Sequence, residues 1–232
     1  MKTVCVFGDS VALGRGDETA AGWPLRLAAL EGLAGHDLAV YNLSVAQDTS
    51  IDIADRWQAD CRVRLRRAGA SAGIVFAFGL YDMADEAGIG GGGALRVPLM
   101  DSMAQAEAVV GAAVEVRPVL WIGPPPIRPR TAPVVEDGHW MKFSRARLEA
   151  LNAAYEDIAR RLRIPYLNLV EGLAESAAWQ AAQEQGNGIH PCGDGHGAIA
   201  RSVHSWPAWR LWMDGAAMGV AAVGRPHYGL AG

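Results

Sequence analysis

Short apolar runs alternate with helix-length segments along most of this chain, and this alternation is the feature that most restricts its fold. The runs are rich in Val, Ile, Leu or Phe and end at Gly, Pro or polar residues, as is typical of buried strands. The pattern predicts strands at about 3–8, 38–43, 73–79, 116–122 and 164–169, and helices at about 22–34, 50–68, 97–113, 143–162, 170–185 and 194–212. Strand–helix–strand units of this spacing require right-handed crossovers. We therefore predict an α/β fold, a three-layer α/β/α sandwich around a parallel sheet.

The length of 232 residues fits one domain with a sizeable core. We place this domain over residues 1–212 and predict that the Gly- and Ala-rich residues 213–232 form a loosely ordered tail. A longer insertion, residues 124–142, follows the fourth predicted strand. The sequence leaves open whether this insertion covers a site as a lid.

Charge and composition exclude several classes of function. A net charge of -4 provides no basic stripe for a nucleic-acid backbone. The first predicted strand follows Met1 after only two residues, and no run is apolar for 18 residues, so we expect a cytoplasmic protein without membrane insertion. The three cysteines are odd in number and are predicted to be free thiols. No cofactor is expected, because the first loop lacks the hydroxyl run that would hold a flavin phosphate. The oligomeric state stays open.

The first predicted strand runs directly into Gly8-Asp9-Ser10, and far downstream His190 lies in Gly188-Ile189-His190-Pro191. A tight turn between a buried strand and a helix lifts one hydroxyl to the edge of a sheet. A serine with a histidine at such an edge is typical of nucleophilic catalysis. The structural alternative is that Ser10 only caps a helix.

The other polar motifs follow the remaining predicted strands. Residues 42–48 follow the second strand, residues 79–82 the third, and residues 124–126 the fourth. In an open parallel sheet, ligands bind outside the carboxyl ends of the strands. The sequence therefore predicts that these segments, Ser10 and His190 share one edge.

Together these motifs resemble the four sequence blocks of the SGNH (GDSL) esterase/lipase family. The blocks are Gly8-Asp9-Ser10, the segment 42–50, Gly79-x-x-Asp82 and the segment 188–191. The resemblance implies a flavodoxin-like fold with a five-stranded parallel sheet of order 2-1-3-4-5. It also implies hydrolysis of esters and thioesters, or removal of acetyl groups from carbohydrates.

Carried over by this resemblance, Ser10 is the nucleophile and contributes its main-chain N–H to an oxyanion hole, and His190 is the general base. Three other positions depart from the family pattern: Gln47 stands for an oxyanion-hole glycine, Tyr81 for an asparagine and Asn187 for the aspartate of the triad.

Each departure has a physical consequence. Gln47 keeps its N–H but is strained if its φ is positive. Tyr81 replaces an amide donor of the oxyanion hole with a longer phenol. Asn187 offers a carbonyl that can accept the Nδ1 proton of His190, but no charge. Asp194 is an alternative carboxylate, although a helix N-cap is its expected role.

Two functions follow from these residues. The first is a serine hydrolase that cleaves a small ester, thioester or O-acetyl group through an acyl-serine at Ser10. The second is a non-catalytic binding protein on the same scaffold, with a decayed active site. A metal site at His190, Cys192, Asp194 and His196 is not predicted, because a second ligand pair is lacking.

Overall fold

The computed structural model describes residues 1–87, 93–128, 132–136 and 138–215. The strands in chain order are β1 (Lys2–Gly8), β2 (Leu38–Asn42), β3 (Ala72–Ala77), β4 (Asp85–Ala87), β5 (Gly93–Leu95), β6 (Val119–Ile122), β7 (Val134–Glu136), β8 (His139–Lys142) and β9 (Tyr166–Leu167). The helices are α1 (Ser10–Leu13), α2 (Gly22–Leu33), α3 (Ser50–Leu65), α4 (Leu99–Val114), α5 (Arg145–Leu162), α6 (Leu169–Leu173), α7 (Ala177–Gln185), α8 (Gly193–Ser205) and α9 (Pro207–Met213).

Five strands form the central sheet in the order β2-β1-β3-β6-β9, and every neighbouring pair is parallel. Counted along this sheet alone, the order is 2-1-3-4-5. Helices α2 to α5 pack against its strands. The predicted α/β fold with a five-stranded parallel sheet is therefore confirmed.

The structure adds a second sheet that the sequence did not predict. Its four antiparallel strands have the order β5-β4-β8-β7. These strands are only three or four residues long, too short for a recognisable alternation of apolar and polar side chains. Two of them, β7 and β8, lie in the insertion at 124–142 and pair as an antiparallel hairpin.

The predicted helices near the carboxyl end are each divided in two. The segment 170–185 forms α6 and α7, and the segment 194–212 forms α8 and α9, with Trp206 between α8 and α9 and Pro207 beginning α9. A proline is favoured in the first turn of a helix because it has no N–H to leave unpaired. Of the predicted tail, residues 216–232 lie outside the described residues.

The core of the sheet is a continuous row of aromatic side chains. The Phe7 and Phe76 ring centroids lie 5.8 Å apart, Phe76 and Phe78 lie 5.8 Å apart, and Phe78 lies 5.8 Å from Trp121. Trp121 in turn lies 4.7 Å from Tyr155 of α5. Offset and edge-on rings at these distances stabilise a core beyond the area that they bury. This row connects β1, β3 and β6 and packs α5 against them.

The carboxylate of Asp82 connects the loop after β3 to two helices. It accepts hydrogen bonds from the main-chain N–H and the hydroxyl of Ser50 at the start of α3, at 2.9 and 2.5 Å. It also accepts one from the Ser102 hydroxyl in α4 at 2.6 Å. Asp82 is buried, and burial raises the pKa of its carboxyl. These bonds hold the loop that precedes α3 close to the end of β3.

A second buried carboxylate, Glu31 of α2, positions α8. It accepts hydrogen bonds from His204 Nδ1 at 2.8 Å and from Trp209 Nε1 at 2.7 Å, and it also pairs with Arg210. The segment that carries His190 leads directly into α8. The contacts of Glu31 therefore fix the helix that follows this histidine.

Asp82→Ala should lower the free energy of unfolding by about 3 kcal/mol, because it removes three hydrogen bonds and leaves buried donors unpaired. Urea unfolding followed by circular dichroism measures this change. Asp157→Ala is the matched control, since Asp157 forms an exposed ion pair with Arg160, and it should cost less than about 1 kcal/mol. Equal losses in the two variants would contradict the role of Asp82.

Candidate active site

Ser10 lies where β1 ends and α1 begins, and it has no exposed surface. The turn before it requires glycine, because a Cβ on Gly8 would lie 2.6 Å from both Ala12 Cβ and the Ala77 carbonyl oxygen. Asp9 caps α1, and its carboxylate accepts the Val11 N–H at 3.0 Å. Burial raises the pKa of Asp9 to about 8. The helix cap is therefore Asp9, which leaves the Ser10 hydroxyl directed elsewhere.

Gln47 presents its main chain to Ser10. Its N–H donates to Ser10 Oγ at 3.0 Å, and its φ is 67°, the left-handed region that favours glycine. Arg96, which follows β5, donates to the Gln47 carbonyl at 2.7 Å. A strained main-chain conformation persists when its surroundings hold it, and the Arg96 contact is one such restraint. The N–H that a glycine would provide is thus present at Gln47.

Asn187 fixes the protonation of the His190 ring. Asn187 Oδ1 accepts the main-chain N–H groups of Ile189 and His190, at 3.0 and 2.7 Å. A flipped amide would place its NH2 group against these two donors, so Nδ2 must face His190 Nδ1, which lies 3.1 Å away. An amide NH2 group only donates, so Nδ1 is the acceptor and the neutral ring carries its proton on Nε2. The expected contact between the Asn187 carbonyl and an Nδ1 proton is therefore wrong.

Tyr81 connects His190 to a carboxylate that the sequence did not identify. Its hydroxyl lies 3.0 Å from His190 Nε2 and donates a short hydrogen bond to Glu136 Oε2. Burial raises the pKa of Tyr81, with a further contribution from the negative charge of Glu136, so the phenol stays protonated. The ring is fully buried and lies edge-on to Phe143, with centroids 5.4 Å apart. Tyr81 therefore accepts from His190 and donates to Glu136.

Glu136, at the end of β7, lies between Ser10 and His190. Its Oε2 accepts from the Ser10 hydroxyl at 3.3 Å, and its Oε1 lies 3.3 Å from His190 Nε2. Among the described residues no hydrogen bond joins Ser10 to His190 directly. The only sequence signal for Glu136 is a single acidic residue after two valines in the insertion, which is too weak to identify a site.

The five predicted site residues are therefore brought together: Ser10, Gln47, Tyr81, Asn187 and His190 belong to one connected set of hydrogen bonds that also includes Glu136. Asp194 is not the N-cap of α8, since that position is Cys192, and Asp194 lies in the first turn. His196 is buried and lies 2.9 Å from the Arg15 carbonyl oxygen through Nε2. In the described part of the chain, no group of three or more His, Cys, Asp or Glu residues could hold a metal ion.

His190 is neutral over most of the pH range. Burial lowers the pKa of its imidazole to about 4, and the nearby charges of Arg15 and His196 act in the same direction. An imidazolium would also place an N–H on Nδ1 against the donating Nδ2 of Asn187. Burial and the opposed Asn187 amide therefore outweigh the attraction of the Glu136 carboxylate, whose Oε1 lies 3.3 Å from Nε2, and the ring stays neutral.

An open groove of about 440 Å³ leads to this set of residues. Its walls come from the loop after α1, from β7 and from the segment between α7 and α8, and its lining includes Arg15, Glu136, Asn187 and His190. Ser10 does not line the groove and lies beneath Glu136 and His190. In this arrangement the serine is closed to solvent.

Comparison with known proteins relates this chain to a described family. A family model described as the GDSL-like Lipase/Acylhydrolase family matches residues 6–198. A search of curated proteins finds no match.

The chain is also similar to solved structures. A lipase/acylhydrolase from Enterococcus faecalis is 16% identical with a TM-score of 0.67, and the match covers 91% of this chain and 96% of that chain. An acetylxylan esterase from Geobacillus stearothermophilus is 14% identical with a TM-score of 0.65, covering 95% of this chain and 97% of that chain. At these identities the likeness shows the fold.

The depressed pKa of His190 should make stability depend on pH. Between about pH 6.5 and pH 4 the unfolded chain binds a proton on this residue and the folded protein does not, so stability falls as pH falls. From pH 7 to pH 5 the contribution of His190 is about 2 kcal/mol. Urea unfolding at both pH values should show a loss smaller by about this amount in His190→Gln than in the wild type. An identical loss in both proteins would contradict the low pKa.

Proposed function

The chain belongs to the GDSL-like lipase/acylhydrolase family, and on that premise we propose that it hydrolyses a small ester, thioester or O-acetyl group through an acyl-serine intermediate at Ser10. The observation that carries the proposal is the environment of the Ser10 hydroxyl. Gln47 donates an N–H to Ser10 Oγ, and Glu136 accepts the Ser10 hydrogen. A hydroxyl with a proton acceptor on one side and a main-chain donor on the other is arranged for nucleophilic attack.

The oxyanion hole is formed in this proposal by main-chain groups. Ser10 is the first helical residue of α1, so its N–H has no carbonyl four residues earlier in the helix. The Gln47 N–H is the second donor, and it exchanges Ser10 Oγ for the substrate oxygen as the bond forms. Tyr81 is a third donor only if its hydroxyl leaves Glu136 for the substrate. Preorganised donors of this kind contribute roughly 10²–10³ in rate each.

Asn187 and His190 complete the catalytic set. Asn187 holds the imidazole in one orientation and one tautomer, and His190 Nε2 points into the network that contains Tyr81 and Glu136. In this proposal the pair acts on the proton of Ser10 through that network.

The groove supports a small substrate with a polar leaving group. Arg15, Gln185 and Asn187 contribute polar atoms to its walls. Since Ser10 has no exposed surface, the acyl group reaches it only after the groups that cover it move.

The cellular compartment is part of the same proposal. The three cysteines, Cys5, Cys61 and Cys192, are free and buried, as is usual in a reducing environment. Across the described residues no helix has both the length and the apolar character needed to span a membrane. We propose that the protein acts in the cytoplasm.

The closed position of Ser10 favours a second candidate function. A serine beneath a carboxylate, with an asparagine where the family has an aspartate, is compatible with a binding protein that has lost its chemistry. The two candidates differ in whether the Ser10 hydroxyl reacts.

If Ser10 is the nucleophile, Ser10→Ala should lower kcat on p-nitrophenyl acetate by at least about 10³-fold while the far-ultraviolet circular dichroism stays unchanged. Initial rates at pH 7 measure this effect. Ser205→Ala removes an exposed hydroxyl at the end of α8 and should leave kcat unchanged. Equal rates for the wild type and Ser10→Ala would end the acyl-serine proposal.

A fluorophosphonate probe should form an adduct on Ser10, because an activated serine attacks phosphorus as it attacks an acyl carbon. Mass spectrometry of the tryptic peptide that spans residues 3–15 measures this adduct. The Ser10→Ala protein should remain unlabelled. A folded wild-type protein without any adduct on this peptide would support the binding-protein candidate instead.

A further inference from the structure

The geometry points to Glu136 as the general base that takes the proton of Ser10, with His190 acting as a neutral hydrogen-bond donor that positions Glu136 and Tyr81. This inference rests on the proposed acyl-serine chemistry and names the residue that performs its proton transfers. It assigns a catalytic role to a side chain outside the four motifs identified in the sequence.

The first observation is the direction of the Ser10 hydrogen bond. Ser10 Oγ accepts the Gln47 N–H, and its own hydrogen has two acceptors within reach, Glu136 Oε2 at 3.3 Å and the hydroxyl oxygen of Tyr81, which itself donates to Glu136. The base that removes this proton must lie within hydrogen-bond reach of it. In the described structure Glu136 meets this condition more nearly than His190, which makes no hydrogen bond to Ser10.

The second observation is the tautomer of His190. Nδ1 accepts from Asn187 Nδ2, so Nε2 carries the proton and donates toward Tyr81 and Glu136. A nitrogen that already carries a proton cannot accept another. His190 becomes a base at Nε2 only if its proton moves to Nδ1, where it meets a second donor, the Asn187 amide. The buried environment makes such an opposed pair costly.

The third observation is that the hydrogen bonds of the network all lead from donor to acceptor toward Glu136. Asn187 donates to His190, His190 donates to Tyr81, and Tyr81 donates to Glu136. Glu136 also accepts from Ser10, and as a carboxylate it needs only to accept. Two departures from the family pattern, Tyr81 and Asn187, therefore fit one arrangement in which the charge lies on Glu136.

The position of Glu136 is fixed by its main chain. In the β7–β8 hairpin Glu136 pairs with His139, and Val134 pairs with Met141, which is buried. Met141 in turn pairs with Glu86 of β4. The carboxylate thus projects from a small sheet of four strands rather than from an irregular loop. Groups on regular elements are held more closely than groups on loops.

The proton transfers balance with this assignment. As Ser10 Oγ bonds to the acyl carbon, its proton passes to Glu136 Oε2 and the carbonyl electron pair moves to the oxygen. The tetrahedral species collapses, the bond to the leaving oxygen breaks, and Glu136 returns the proton to that oxygen. Water then attacks the acyl-serine and gives its proton to Glu136, and that proton returns to Ser10 as the acid leaves.

The test compares three substitutions by their kcat on p-nitrophenyl acetate. Glu136→Gln keeps the shape of the side chain and removes its basicity, so kcat should fall at least about 100-fold. His190→Gln keeps a donor near the Nε2 position but cannot be a base, and should cost about tenfold, the equivalent of one lost hydrogen bond. Glu149→Gln, an exposed glutamate of α5 paired with Arg145, is the control and should leave kcat unchanged.

Chemical rescue separates a base from a structural side chain. Formate added to Glu136→Ala should restore part of kcat in proportion to its concentration, because it supplies a carboxylate in the space left by the side chain. Formate should not raise the rate of Ser10→Ala.

The inference is overturned if Glu136→Gln retains more than a tenth of the wild-type kcat or exceeds it, since an increase means that Glu136 only blocks Ser10. It is also overturned if His190→Gln is as inactive as Glu136→Gln and formate rescues nothing. In these cases Ser10→Ala remains inactive, so the acyl-serine proposal stands. Equal rates for Ser10→Ala and the wild type would reject that proposal itself.

Discussion

The carboxyl end of β1 is the constraint on which the site depends. β1 pairs with β2 on one side and with β3 on the other. The order of strands along the chain therefore reverses direction at β1. At such a point the loops on the two sides separate and leave a crevice. Ser10 follows β1 and Tyr81 follows β3, and both side chains enter this crevice. The close approach at Gly8 allows the turn to fit there.

Burial fixes which group donates and which accepts in each hydrogen bond of the network in this crevice. Ser10, Tyr81, Glu136 and His190 are all nearly inaccessible to water, so each proton must have a protein acceptor. An unpaired polar group in such a place costs about 1–3 kcal/mol. The amide of Asn187 starts the sequence of donors because its carbonyl is already occupied by two main-chain N–H groups. A substitution at any one of these positions therefore changes the hydrogen-bond roles of the others.

The small antiparallel sheet contributes two charged side chains to the site, a carboxylate and a guanidinium. Its strand β7 carries Glu136, and Arg96, just after β5, holds the carbonyl of Gln47. Glu86 of β4 also contacts Arg96, at 3.3 Å, so the two ends of the site are linked through this sheet. An insertion that the sequence suggested only as a cover thus contributes a charged group to the interior.

The sequence by itself determined the α/β fold, the approximate positions of the five central strands and the edge of the sheet at which Ser10, Gln47, Tyr81, Asn187 and His190 gather. It did so because apolar periodicity and short turn motifs are local signals, and a parallel sheet places all strand ends together. Only the tertiary structure decided the rest. Glu136 is 126 residues from Ser10 in the chain, and its pairing depends on strands too short to leave a pattern. The orientation of the Asn187 amide depends on two main-chain donors in a buried turn, and no residue type in the sequence specifies that geometry.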